Sequence, residues 1–159
     1  MQFVLDPPHG VAPVRLGMTL PETVAAVSAW GAPRVHRADA VRPFDLVSTA
    51  YDGIGFQAVL EGDGRVTAVT LWGPDEDEDP DVTVLWDGLD VFRTPAADLL
   101  AHAAGRGLAV ADADPRAPYL PGLTLAFTRD TSQDVPRDAT GLPLHFTSVL
   151  VAGEAYRER

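Results

Sequence analysis

Three segments of strand character in direct succession, Phe44 to Tyr51, Ile54 to Glu61 and Arg65 to Trp72, constrain this chain more than any other feature. In the second of them Ile54, Phe56, Ala58 and Leu60 alternate with Gly55, Gln57, Val59 and Glu61, the two-residue period of a strand with one better-buried face. Gly62-Asp63-Gly64 follows, and glycine tolerates the positive φ that a hairpin turn requires. Strands joined this closely pair with their neighbours in antiparallel order. The spacing therefore predicts a meander over 44–72.

A helix precedes it. Thr19 and Glu22 have the spacing of a capping box, Leu20, Val24 and Val27 form one apolar stripe, and Gly31 with Pro33 supplies a stop, so the helix is placed at 20–30. The second half repeats the ingredients. Val82 to Trp86 and Leu89 to Phe92 flank the hairpin signal Asp87-Gly88, and Thr94-Pro95 offers an N-cap with proline at the first helical position. Ala96, Leu99, Leu100 and Ala103 make a second stripe that stops at Gly105, and Leu123 to Arg129 and Leu144 to Val151 are two more strand segments. The offset between Val66–Leu71 and Phe146–Val151 suggests sub-repeats at 10–74 and 82–153, or two ordinary strands that share β-propensity. The expected fold is α+β: two helix-plus-antiparallel-meander units in one domain, 1–159, with a continuous sheet and helices on one face.

With 159 residues, 46% hydrophobic and 22% charged, the chain can bury about two-thirds of its unfolded surface and needs no staple. It has no cysteine, which removes disulfides, thiolate metal sites and thiol nucleophiles. Its cations are all arginine, with no lysine and no asparagine, a usage that fits a G+C-rich bacterial genome. A formal net charge of −11 repels phosphate backbones, so nucleic acid is excluded as a partner. The N-terminus has no secretory h-region, and no stretch approaches the ~18 apolar residues of a membrane span, so a cytoplasmic location is expected.

Signatures of chemistry are missing. His9, His36, His102 and His145 stand apart and outside any zinc pattern, and His102, off its helix's apolar stripe, reads as a surface residue. No nucleophile elbow surrounds Ser28, Ser48, Ser132 or Ser148. Gly53-Ile54-Gly55 precedes a strand, without the helix N-terminus that holds phosphate in nucleotide loops, and reads as a bulge or turn. No cofactor or metal is expected.

The sharpest local feature is an acidic run of Asp75, Glu76, Asp77, Glu78, Asp79 and Asp81, broken by Pro80 and set between Trp72 and Trp86. An EF-hand counted from Asp75 would need glycine and glutamate where Pro80 and Trp86 stand, so calcium is excluded in that form. The run is either a solvated loop or an acidic docking surface for a basic protein, with the two tryptophans as anchors.

The opening Arg15-Leu16-Gly17-Met18-Thr19-Leu20-Pro21-Glu22-Thr23-Val24, ending in Gly31-Ala32-Pro33, resembles the helical start of the beta-lactamase inhibitory protein family and of SmpA/OmlA-like outer-membrane assembly lipoproteins. The resemblance implies a helix on a small antiparallel sheet whose second face is open to a protein partner. It carries over no functional residue. The leading expectation is a non-enzymatic protein-binding module of inhibitor or immunity type that uses an acidic surface and an open sheet face. The alternative is a small-molecule-binding protein or enzyme with a helix-sheet pocket lined by Tyr51, Phe56 and His145, with Asp45, Asp52, Glu61, Arg65 and Arg129 as polar members.

Overall fold

Tight turns and strict alternation make β5 (Asp45–Tyr51), β6 (Ile54–Glu61) and β7 (Arg65–Trp72) the antiparallel meander expected from the sequence, in a computed structural model that describes residues 2–74, 81–129 and 135–153. Before them come β1 (Gln2–Asp6), β2 (Gly10–Ala12), β3 (Val14–Arg15), α1 (Leu20–Val27) and β4 (Arg34–His36). After them come β8 (Thr83–Trp86), β9 (Leu89–Asp90), α2 (Ala96–Gly105), β10 (Tyr119–Leu120), β11 (Leu125–Thr128) and β12 (Ser148–Ala152). Register slips once, between Val59 and Leu60, where Val59 faces Ala68 and Leu60 faces Val66. Thr67 is thus the extra residue of a bulge, and its carbonyl accepts the Gly153 N–H at 3.0 Å.

The strands form two sheets, not the single continuous sheet expected. One has the order β3-β2-β1-β8-β9 and the other β10-β11-β12-β7-β6-β5-β4. The reason lies in the first residues. Phe3 and Leu5 alternate as buried positions of β1, which runs parallel to β8 and draws the 83–86 strand away from the meander. Of the expected second unit, β8 and β9 lie in the other sheet, while α2 is followed by β10, β11 and β12 in antiparallel succession, as α1 is by β4 to β7. The segments compared as repeats are neighbours in one sheet, with Ser148 opposite Trp72 and Ala152 opposite Ala68.

α1 begins as its sequence dictates. The Thr19 hydroxyl accepts the Glu22 N–H at 3.4 Å, and the Glu22 carboxylate accepts the Thr19 N–H at 3.3 Å. That helix ends at Val27, short of residue 30, because Trp30 leaves the helical path and is buried between Phe3 and Phe56, at ring distances of 4.5 and 5.0 Å. Thr19→Ala is expected to cost about 1 kcal/mol in urea unfolding by removing a capping acceptor. At α2 the Thr94 cap does not form. Pro95 occupies the N-cap with no side-chain hydrogen bond, and the Ala96 N–H donates to the distant Leu144 carbonyl at 2.8 Å. A tertiary acceptor replaces the local one.

The core lies between the two sheets. The Phe3–Trp30–Phe56 chain fills one end, and Trp86, Phe127 and Phe146 fill the other, with Phe127 and Phe146 stacked at 4.7 Å. One glycine has no substitute here: Gly10 has φ +143, and a Cβ on it would stand 2.3 Å from the Val14 carbonyl oxygen. Among the described residues no helix is long and apolar enough to cross a membrane.

A carboxylate-free sheet face

Alternation along β6 sends Ile54, Phe56, Ala58 and Leu60 into the core and leaves Gly55, Gln57 and Val59 pointing away from it. Cross-strand register extends that outward set over the whole seven-stranded sheet. Its middle row reads Tyr119, Ala126, Leu150, Thr70, Gln57, Ser48 and Arg34, one residue per strand. On one side lie Thr128, Ser148, Trp72, Gly55 and Ala50; on the other lie Ala152, Ala68, Val59, Leu46 and His36, of which Ala68 and Ala152 are buried. None of these positions carries a carboxylate, although the chain has 23 Asp and Glu. The outward set of β6 ends in the half-buried Glu61, which faces Arg65 at the sheet's end beyond the bulge, so the area without carboxylates is these three rows.

The face holds exposed aromatic surface. Trp72 is 43% exposed and Tyr119 37% exposed. Trp72 also covers its neighbour: a Cβ on Gly55 would meet the indole at 3.4 Å, so the ring lies against the bare backbone of β6. Thr128 and Ser148 hydrogen-bond to each other beside it.

The tryptophan expected as the second anchor belongs elsewhere. Trp86 is 1% exposed and packs against Phe127 and edge-on against His102, because β8 places Val84 and Trp86 on its inner side. Asp75, Glu76, Asp77, Glu78 and Asp79 lie outside the described residues. Asp81 is exposed, and its N–H donates to the Asp52 carboxylate at 3.0 Å. Asp52 occupies the β5–β6 turn with φ +50, at the end of the sheet where Trp72 faces Gly55. Asp52 and Asp81 therefore lie past the strand ends, at the tryptophan end of the sheet.

The polar residues considered for a pocket do not converge. Asp52 and Glu61 stand at opposite ends of β6; Asp45 accepts the Ala38 N–H and pairs with Arg37; Arg65 donates to the Gly17 carbonyl. Phe56 is 1% exposed and part of the core. A cavity beside Ile54, Val84 and Phe92 offers about 10 Å³, room for one water molecule. Among the described residues no cluster of His, Asp and Glu is arranged to hold a metal ion.

Two polar groupings escape the sequence. Asp87, in the β8–β9 turn with φ +51, accepts from His102 at 3.0 Å and from Arg106, which ties the turn to α2 and gives His102 a partner. Arg129, 8% exposed, donates to Asp138 at 3.0 Å and to the Pro143 carbonyl at 3.3 Å, and its guanidinium lies over Phe146 at 5.4 Å. The Thr140 hydroxyl holds the Asp138 carboxyl below its usual range, helped by the Thr140 and Leu142 N–H groups and by Arg129, against a smaller opposing effect of burial. Both groupings fasten loops to the core. Their only sequence signal is an aspartate in a turn or irregular stretch, and its partner is fixed by tertiary contact.

No protein-family model, curated protein or solved structure matches the chain.

Proposed function

We propose that the chain is a non-enzymatic protein-binding module of inhibitor or immunity type, which seats a basic protein partner on the open face of the seven-stranded sheet. The observation that supports this reading is the absence of carboxylates from three successive rows of that face in so acidic a chain. Interface centres are depleted of charge and enriched in aromatic residues, whereas their rims are polar. Trp72, exposed and aromatic, is the anchor. Asp52 and Asp81, together with the acidic composition of the run from Asp75 to Asp79, supply negative charge that speeds the approach of a positive partner.

Centre and rim have separable kinetic signatures. For a partner captured from extracts of the source organism, Trp72→Ala is expected to weaken binding at least ~30-fold, mainly through faster dissociation. Neutralising Asp75 to Asp79 together with Asp81 should slow association and flatten its salt dependence. Capture that survives both changes at full affinity would refute the proposal.

A further inference from the structure

We infer that the basic partner presents an extended, proline-rich segment, seated across Trp72 and Tyr119 with an arginine or lysine at the Trp72 end. The inference rests on the reading of the sheet face as the contact surface and adds the chemistry of what occupies it. Among the described residues Trp72 and Tyr119 are the two exposed aromatic side chains, and both stand on this face. Between their strands run β11 and β12, which bring Thr128 and Ser148 into the row of Trp72, and Ala126 and Leu150 into the row of Tyr119. Two rings thus flank side chains that are small or, at Leu150, half-buried. The row that holds the buried Ala68 and Ala152 lies on the far side and takes no part. Tyr119 is fixed from both sides, by pairing with Ala126 and by exchanging backbone hydrogen bonds with Ala111 at 2.8 Å in each direction.

Spacing and hydrogen bonding both suit proline. Three strand intervals of ~4.8 Å and one two-residue step of ~6.8 Å put Trp72 and Tyr119 about 16 Å apart. A polyproline II segment rises ~3.1 Å per residue, so about five residues bridge the rings. Such segments dock on aromatic side chains and are extended before they bind, which keeps the entropy cost small. Their backbone offers carbonyl acceptors and, at proline, no N–H. The surface beneath must therefore donate. The Trp72 indole N–H and the Tyr119 hydroxyl have no hydrogen-bond partner among the described residues, and the Thr128–Ser148 pair keeps one hydroxyl proton to give. A carboxylate in these rows would be covered without meeting a donor, which accounts for its exclusion from the middle of so acidic a chain. The partner's cation belongs past the strand ends, where Asp52 and Asp81 lie beside the tryptophan end.

Fluorescence anisotropy of a labelled Arg-Arg peptide extended by about seven prolines tests this on the full chain. Wild type is expected to bind it with a dissociation constant on the order of 100 μM or below. A peptide of equal charge and length, with glycine and serine in place of proline, should bind at least ~10-fold more weakly. The proline peptide should also move the protein's tryptophan emission to the blue, since Trp30 and Trp86 are already buried and Trp72 is the one left to lose water. Trp72→Ala and Tyr119→Ala should each weaken binding at least ~10-fold, with circular dichroism showing that both variants are folded. Ser148→Glu, beside Trp72, gives the test its sign. An added carboxylate strengthens a purely electrostatic attachment to arginine, but beneath a proline-rich segment it should weaken binding at least ~5-fold. Equal affinity for the two peptides overturns the inference, as does tighter binding by Ser148→Glu. If the peptide fails to bind while the captured partner still depends on Trp72, the proline-rich segment is removed and the contact face stands.

Discussion

Trp86→Ala is expected to destabilise the protein by about 3–5 kcal/mol, whereas Trp72→Ala should cost under about 1 kcal/mol. Both tryptophans end a strand, and both flank the acidic run. Trp86 is enclosed by Phe127, His102 and the aliphatic core, so truncation leaves a cavity that the surrounding sheets cannot collapse to fill. Trp72 projects from the open face over Gly55, and its removal exposes backbone at a surface already in contact with water. Guanidinium unfolding followed by far-UV circular dichroism measures both. Equal losses would mean that Trp72 is covered by something within the same chain, and the open face would not be open.

Asp138→Ala should lower the melting temperature more than removal of any exposed carboxylate, such as Asp39, whose contacts are the N–H groups of its own turn. Asp138 is the counter-charge of a guanidinium that is 8% exposed and whose Nε has no hydrogen-bond partner among the described residues. Removing the carboxylate strands a buried cation, which costs far more than the pair contributes. The double variant Arg129→Met, Asp138→Ala should therefore recover much of the loss, because no charge is left unpaired. The pH dependence has a definite sign. Asp138 is more acidic folded than unfolded, so its contribution is present above the unfolded value near ~4 and fades as pH falls through the folded value. The gap in melting temperature between wild type and Asp138→Ala should accordingly narrow below about pH 4.

How much of this could be read in the sequence varied from element to element. β6 and β7 were legible to the residue, since alternation and a glycine-bearing turn are local properties of the chain. The start of α1 was legible because a capping box is satisfied within four residues. The N-cap of α2 was not, because its free N–H found an acceptor at Leu144. Nor was β1, whose parallel partner lies about eighty residues away at Thr83 to Leu85. Of the two tryptophans that flank the acidic run, the sequence does not tell that Trp72 is exposed and Trp86 buried. The phase of Val82, Val84 and Trp86 carries the inward signal for the second, but phase alone does not say which side of a strand is inside.

The sequence by itself determined the class of elements, the central meander, the first helix cap and the acidic balance, all of which depend on neighbours along the chain or on simple composition. Tertiary structure alone decided that the strands divide into two sheets, that one tryptophan is core and the other surface, and that a carboxylate-free face exists. The reason is physical. A face is assembled from every second residue of seven strands drawn from 34 to 152, and only register brings those residues together.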